Sequence, residues 1–309
     1  MEYRVHMLRR ISEVQAFWAI VVAIIAIDAA WTRSVGIRVV PDPLALAGIA
    51  LIAGINLVYA TVRPRPRIAA AAASVLQLAV FTSAGAVLSY LTVTSRYPLI
   101  DRHLAAVDAA IGVNWVALFH WVHDHPVVFR VFELAYNSMM IQVGVLLVVL
   151  NALGRLDRVR EFVWLFVLSL LIIIPISWLL PAEGAWAYYG VSHLTNAYYL
   201  PDFFALREEK MPEIVMARIT GVIQFPSFHA ALGLILIYAY RGVRYLFPIS
   251  CLLNICMIAS TAVSGGHHIA DILAGLAVVP LTILIFRLGQ GERAATAGFA
   301  PDLIAGAQD

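Results

Sequence analysis

Residues 162–180 read FVWLFVLSLLIIIPISWLL and contain no charged side chain. A helix of about 20 apolar residues is long enough to cross the hydrocarbon core of a bilayer, which is roughly 30 Å thick. The whole chain of 309 residues is 62% hydrophobic and only 13% charged, with a mean hydropathy of +0.86. Soluble globular domains do not have so much apolar surface to bury, so the composition predicts a membrane protein.

Seven further apolar runs accompany this stretch. Together they predict an all-α fold, a polytopic membrane helix bundle of about eight transmembrane helices. The run 228–241 is short for a span, and we assign it as one because polar segments bracket it and the charge pattern requires a crossing there. The predicted spans are 15–33, 44–62, 70–94, 127–153, 162–180, 228–241, 245–264 and 268–287.

Basic residues occupy every second connection between these runs. Short cytoplasmic loops retain Lys and Arg, so this alternation predicts both termini on the cytoplasmic side of the cell membrane and the segments 96–126 and 181–226 on the outside. The basic residues are Arg4, Arg9, Arg10, Arg63, Arg65, Arg67, Arg155, Arg158, Arg160, Arg241, Arg244, Arg287 and Arg293. We expect the first run to be retained rather than cleaved as a signal peptide, because no small-residue cleavage site stands out.

Charge and cysteine content add two expectations. The formal net charge of +2 implies no nucleic-acid partner. Cys251 and Cys256 lie five residues apart in one predicted span and do not share a helix face, so no disulfide is expected between them.

The two long outer segments are more than simple loops. In residues 98–125, Leu104, Val107 and Ile111 recur at helical spacing with acidic and basic residues between them, which predicts an amphipathic helix resting on the bilayer surface. Residues 181–226 carry Trp186 and several tyrosines, among them Tyr199, which are typical of the aromatic belt at headgroup depth. A long outer segment that also contains arginine is where we expect a lipid headgroup to bind.

Two short motifs concentrate the polar chemistry of the apolar half of the chain. In SGGHHIADILAG, residues 264–275, His267 and Asp271 are four apart and project from one helix face. A carboxylate there can hold the imidazole in one tautomer and leave its other nitrogen free as a nucleophile. Gly265 and Gly266 allow the backbone to approach an anion closely, and the start of a helix favours phosphate.

The second motif is FPSFHAALG, residues 225–233. Pro226 suits the first turn of a helix, Ser227 is a good N-cap, and His229 projects from that first turn. Both motifs open on the predicted outer side. Two helix N-termini, each with a histidine, are therefore expected to converge on one phosphate.

PSFH at 226–229, followed by GGHHxxD at 265–271, resembles the type 2 phosphatidic acid phosphatase superfamily of lipid phosphatases and phosphotransferases. The resemblance covers roughly residues 70–290. It implies three regions: two additional N-terminal transmembrane helices in residues 1–67, a six-helix acid-phosphatase-like core in residues 68–290 and a cytoplasmic tail in residues 291–309.

The resemblance also implies roles for the two motifs. His267 attacks phosphorus to form a phosphohistidine, Asp271 orients it and His229 protonates the leaving oxygen. Ser227 and the amides around Gly266 hold the phosphate oxygens. No metal and no cofactor are implied. The partners are a membrane lipid that donates the phosphate group and water or a hydroxyl acceptor, and no protein partner is indicated.

Two departures from the family pattern bear on phosphate binding. Thr261 stands where the last motif usually has arginine, and Lys210 and Arg218 are one residue too far apart for the first motif. Phosphate charge must then be met from elsewhere, and Arg207 is the leading candidate, followed by Lys210 and Arg218. With these departures the chain resembles the branch of the family that contains the inositol phosphorylceramide synthases. This resemblance implies transfer of a phosphoryl or phospho-alcohol headgroup between lipids at the outer face.

Three alternatives stay open. The same chemistry serves a polyprenyl diphosphate or phosphatidate phosphatase. The sequence HWVHDH at 120–125 could belong to a metalloenzyme, although only one further HH pair exists. Finally, Asp28, Glu133, Asn137 and Gln142 could line the path of a lipid transporter that performs no phosphoester chemistry.

Overall fold

The computed structural model describes the backbone of residues 2–298 and the side chains of residues 13–290. The fold is an all-α polytopic helix bundle with almost no strand. The long helices are α1 (Glu2–Val35), α2 (Pro43–Leu57, continued as a π-helical turn over Val58–Val62), α3 (Pro66–Val93), α6 (Pro126–Asn137), α7 (Met139–Ala152), α8 (Leu156–Leu179), α11 (Phe228–Ala239), α12 (Leu246–Ser264) and α13 (Ile269–Gly298).

The short elements lie between the long helices. They are strand β1 (Arg38–Val40), helices α4 (Asp101–Ala110), α5 (Trp115–His123), α9 (Ala185–Tyr188) and α10 (Leu200–Arg207), and strand β2 (Glu213–Val215), with 3-10 turns at Ser192–Leu194 and Met216–Arg218. Residues 299–309 of the predicted cytoplasmic tail lie outside the described residues, as do the side chains of Arg4, Arg9, Arg10 and Arg293.

Among the described residues, six helices are long and apolar enough to cross a membrane, and up to eight if each of two bent helix pairs forms one span. One bent pair is α6 and α7, which meet at 51° where a single span over 127–153 was predicted. The predicted span 228–241 is the helix α11, whose 12 residues are too few to cross the hydrocarbon core alone. The chain is therefore a multi-pass membrane protein, in which the predicted span 127–153 is bent and the predicted span 228–241 is a short helix.

The helices bury two main apolar clusters. The larger lies within the bundle, where Phe17 of α1, Phe81 of α3 and Phe166 of α8 pack with Leu236 of α11. The second lies at the end of the bundle formed by the segments that were predicted to face outward, and it includes Tyr90, Trp115, Trp186, Tyr199 and Phe203 among its members.

The segment 98–125 differs from its prediction in two ways. It forms two helices, α4 and α5, at 84° to each other rather than one surface helix. On α4, Asp101 and Asp108 are buried, whereas Val107 and Ile111 are 46% and 50% exposed. The two carboxylates are therefore buried inside the protein and these two apolar side chains are exposed, the reverse of the pattern in a soluble amphipathic helix. Exposed apolar side chains are not costly beside hydrocarbon, and the buried carboxylates find backbone N–H donors.

The segment 181–226 is an ordered part of the fold. It contributes α9, α10 and β2, and β2 pairs in parallel with β1, so that Val39 lies opposite Ile214. Trp186 and Tyr199 are 2% and 0% exposed, so the headgroup-belt interpretation is wrong for these two residues, which pack inside the second cluster.

The N-terminal helices pack directly on the rest of the bundle. α1 shares the larger cluster with α3 and α8, and α2 packs along α3. The division into additional helices (1–67), core (68–290) and tail (291–309) stays a prediction.

Candidate active site

The first turns of α11 and α13 meet closely. Ser227, the N-cap of α11, has its backbone N–H bonded to the carbonyl oxygen of Asp271 at 3.0 Å. A Cβ at Gly275 would lie 2.1 Å from the Ser227 carbonyl oxygen, so only glycine allows this approach. The structure thereby brings the two histidine motifs together at one end of the bundle.

His267 lies in the turn before α13, two residues ahead of its first helical position, and is 2% exposed. Its Nδ1 is 2.9 Å from the Gln224 carbonyl oxygen and 3.4 Å from Asp271 Oδ2. A carbonyl oxygen only accepts hydrogen bonds, so Nδ1 carries the proton. In the neutral ring Nε2 then holds the lone pair, and it lies 3.4 Å from Ser227 Oγ.

His229 faces the same space from α11. Its ring centroid is 6.4 Å from that of His267. Tyr136 of α6 stacks on the other side, with centroids 4.4 Å apart and planes at 11°. The hydroxyl groups of Tyr136 and Tyr198 lie 2.9 Å apart. The aromatic stack fixes the plane of the His229 ring and holds it beside His267.

The turn that carries His267 is held by donors from α5 and α9. Trp115 Nε1 donates to the His267 carbonyl oxygen at 2.9 Å, Ala185 N donates to the Gly266 carbonyl oxygen at 2.7 Å, and Trp186 Nε1 donates to the Val263 carbonyl oxygen at 3.0 Å. Gly266 has φ +70°, and its N–H has no acceptor among the described residues. This N–H is available to an anion.

His268, beside the predicted nucleophile, is fully buried between two carboxylates of α4. Its Nδ1 lies 3.3 Å from Asp108 Oδ2, and its Nε2 lies 3.6 Å from Asp101 Oδ1, a charge contact rather than a hydrogen bond. The rings of Tyr188 and Tyr189 flank it at 5.6 and 5.7 Å between centroids. The two acids favour the imidazolium form.

The same carboxylates bind backbone groups at both sides of the site. Asp108 accepts from Ile269 N at 3.1 Å and from Ala270 N at 2.8 Å, and therefore caps α13 from another helix. Asp101 accepts from Glu183 N at 3.0 Å and from Gly184 N at 2.9 Å. A carboxylate with two N–H donors is well satisfied although it is buried.

The environment changes the acidity of His268. Burial alone acts to lower its pKa, but the contacts with Asp101 and Asp108 outweigh burial and raise the pKa from 6.5 to about 9. The group is therefore charged at neutral pH.

Two of the three basic residues predicted to bind phosphate have other contacts. Arg207 donates to the carbonyl oxygens of Ser95 at 3.1 Å and Tyr97 at 3.0 Å, at the end of α3. Lys210 pairs with Glu208, and Arg218 lies in a 3-10 turn. The structure thus brings His267, His229, Asp271, Ser227, Gly265 and Gly266 together, and it shows no contact of the three basic residues with them among the described residues.

The histidines of HWVHDH serve local contacts. His123 packs on Phe119 and Phe129, and His125 packs on Trp121. The part of the chain that the structure describes contains no group of three or more His, Cys, Asp or Glu side chains that could hold a metal ion.

The fold and the paired histidines define a multi-pass membrane protein with a buried histidine–carboxylate site at the end of its helix bundle. A family model described as the PAP2 superfamily matches residues 102–285, more than half of the chain. The chain belongs to this superfamily. Membership supports a phosphatase-type enzyme with lipid phosphatase or phosphotransferase activity. No curated protein and no solved structure matches the chain.

Sequence reasoning missed the residues that surround these motifs. His268, Asp101 and Asp108 form contacts across 160 positions of the chain, and Gln224 acts through its backbone carbonyl. The seven-residue spacing of Asp101 and Asp108, which places both on one helix face, was the available signal.

Proposed function

We propose that the protein is a membrane lipid phosphotransferase or phosphatase in which His267 forms a phosphohistidine. The observation that carries the proposal is the orientation of His267. Its protonated Nδ1 is held by the Gln224 carbonyl and Asp271, so that Nε2 is directed toward Ser227, and the ring of His229 lies 6.4 Å away between centroids. A buried imidazole with one nitrogen fixed and the other facing a second histidine is the arrangement that nucleophilic catalysis needs.

In the first step Nε2 of His267 attacks phosphorus, the N–P bond forms and the bond from phosphorus to the lipid oxygen breaks. Protonated His229 gives its proton to that leaving oxygen. The positive charge of the phosphorylated ring is stabilised by Asp271. The ring centroids of the two histidines are 6.4 Å apart, so both rings can contact one phosphoryl group.

In the second step an oxygen nucleophile attacks the phosphohistidine, and His229 takes up its proton. The N–P bond breaks, and His267 returns to its starting tautomer. Water as nucleophile makes the protein a phosphatase, and a lipid hydroxyl makes it a transferase. We favour a transferase that moves a phosphoryl or phospho-alcohol headgroup at the outer face, because the motif departures are similar to that branch. Hydrolysis of phosphatidate or a polyprenyl diphosphate is the alternative.

Phosphate binding in this proposal rests mainly on neutral donors. Ser227 Oγ lies 3.4 Å from His267 Nε2, and the Gly266 N–H, next to His267 in the chain, has no acceptor among the described residues. Arg207, Lys210 and Arg218 are proposed as further phosphate ligands that approach only when a lipid headgroup binds.

An apolar cavity next to the site supports a lipid substrate. It has a volume of about 640 Å³ and is lined by α2, α3, α7 and α8, with Met216 and Ile219 at one end. Phe166 of its wall packs edge-on against Phe228 at 5.2 Å, and Phe228 lies between Ser227 and His229 in the chain. We propose that this cavity takes a hydrocarbon chain of the lipid whose phosphate lies at His267.

Product analysis by mass spectrometry tests the function. The purified protein with a chelator is given a phosphoinositide, a phosphatidate or a polyprenyl diphosphate, with and without ceramide or diacylglycerol. His267→Ala is compared with His103→Ala, which removes an exposed histidine of α4. We expect a product that His103→Ala retains and His267→Ala loses. An acceptor-dependent phospho-alcohol lipid identifies a transferase and free phosphate a phosphatase. Product that His267→Ala still forms would contradict the proposal and favour another chemistry, whereas no product from any donor would favour a transporter.

A further inference from the structure

We propose that His268 is a positioning residue, whose imidazolium joins α4 to the start of α13 and thereby sets the orientation of the neighbouring His267. This inference rests on the function proposed above. It assigns a role to a group that makes no contact with the space between His267 and His229.

The side chain of His268 has acidic and aromatic neighbours. His268 is fully buried, yet it lies between Asp101 and Asp108 and is flanked by Tyr188 and Tyr189. An uncompensated buried charge is costly, so two carboxylates on one buried helix face require a cation between them. The four residues form a cage for a planar cation.

Asp271 connects this cage to His267. The backbone N–H of His268 donates to Asp271 Oδ2 at 2.8 Å, the same oxygen that faces His267 Nδ1. Asp108 also binds the first two amides of α13. Movement of His268 therefore shifts the carboxylate that orients the nucleophile.

Asp101 connects the cage to the Gly265–His267 turn. Asp101 binds the amides of Glu183 and Gly184, and the next residue, Ala185, donates to the Gly266 carbonyl oxygen. Gly184 has φ +88°, and a Cβ there would lie 2.4 Å from the Tyr199 hydroxyl, so the turn has little freedom to adjust. The cage thus holds both sides of the Gly265–His267 turn.

Removal of the imidazole should be reversible by adding it back. In His268→Ala the cage keeps its two carboxylates and two rings but loses its cation. We expect kcat on dioctanoyl phosphatidate to fall about 100-fold with little change in KM, as for a misplaced catalytic group. Added imidazole should restore kcat with saturation. The same imidazole should leave the wild type and His103→Ala unchanged.

Two readouts do not depend on turnover. Imidazole should raise the unfolding midpoint of His268→Ala in SDS and leave that of the wild type unchanged. The indole N–H of Trp115 donates to the His267 carbonyl oxygen, so its NMR signal, assigned with Trp115→Phe, reports the position of the turn. We expect this signal to shift in His268→Ala and to return with imidazole.

The outcomes separate the two proposals. A wild type that is inactive on phosphatidate, together with a Trp115 signal that shifts and returns, overturns the function for this lipid and supports the cage. A His268→Ala variant with wild-type kcat, or a Trp115 signal that does not change, overturns the positioning role. A loss of kcat that imidazole does not restore, with no stabilisation by imidazole, reduces His268 to a packing residue and also overturns it.

Discussion

Replacing Gly275 with alanine tests the close approach of α13 to the start of α11. A Cβ at this position would lie 2.1 Å from the Ser227 carbonyl oxygen and 3.0 Å from its carbonyl carbon, whereas ordinary contact begins at 3.4 Å. The difference, 3.4 − 2.1 = 1.3 Å, is the distance by which Ser227 must move away. A backbone atom cannot rotate aside as a flexible side chain can.

This displacement should affect catalysis more than folding. Overpacking typically costs about 1–3 kcal/mol, which a bundle of this size tolerates, whereas a catalytic group displaced by about 1 Å loses on the order of 100-fold in rate. We therefore expect Gly275→Ala to unfold in SDS at a slightly lower midpoint and to lose about 100-fold in kcat on the lipid that the wild type turns over.

Gly85→Ala is the matched control, since Gly85 is a buried helical glycine at which an added Cβ would meet nothing within 4 Å. It should keep the wild-type kcat. If Gly275→Ala were as active as Gly85→Ala at equal folded protein, the position of Ser227 against α13 would not matter for turnover, and the proposed site geometry would be refuted.

Three further predictions concern the charge of His268, the apolar cavity and the ring stacked on His229. The pKa of His268, raised from 6.5 to about 9, adds stability of about 3 kcal/mol (2.5 pKa units at about 1.36 kcal/mol each) that is complete below pH 6.5 and lost as the pH rises through about 9. The SDS unfolding midpoint of the wild type should therefore exceed that of His268→Gln at about pH 6, and the two midpoints should converge at about pH 10. A difference between the midpoints that stays constant with pH would contradict the charge assignment. Gly144→Leu, which adds a side chain to the apolar cavity where a Cβ meets nothing within 4 Å, should lower kcat/KM for long-chain lipids and spare dioctanoyl phosphatidate; equal losses for both chain lengths would exclude the cavity as a chain site. Tyr136→Phe keeps the ring stacked on His229 and should retain most activity, whereas Tyr136→Leu should lower kcat, and equal kcat values for the two variants would show that the stack has no role.

The sequence predicts the fold class because its apolar runs are long. It does not predict the breaks, since the bend at Ser138 and the short α11 depend on packing against neighbouring helices. The prediction differs most clearly from the structure in the segment 98–125. One helix on the bilayer surface was predicted, whereas the chain forms two helices at 84°. The exposed Val107 and Ile111 agree with contact to a bilayer, but Asp101 and Asp108 are buried against backbone donors, which the spacing of apolar residues did not indicate.

The candidate site was predicted where its residues are close in sequence. His267 with Asp271, and Ser227 with His229, each lie within one helical turn, so local geometry alone brings them together. The partners of His268 could not be found in this way, because Asp108 is 160 residues distant and only the folded chain brings them together. The assignment of Arg207 to phosphate stays a prediction, since its guanidinium bonds to backbone carbonyl oxygens at the end of α3 in this structure.

The central claim is that His267 carries the transferred group, and trapping that intermediate tests it most directly. The protein would be mixed with a phosphatidate bearing a labelled phosphate, denatured rapidly at alkaline pH, where phosphohistidine persists, and mapped by peptide mass spectrometry. We expect the label on His267 and no label in His267→Ala. In Asp271→Asn the label should accumulate if breakdown of the phosphohistidine slows more than its formation. Turnover of the lipid with no label on His267, or with the label on another residue, would contradict it.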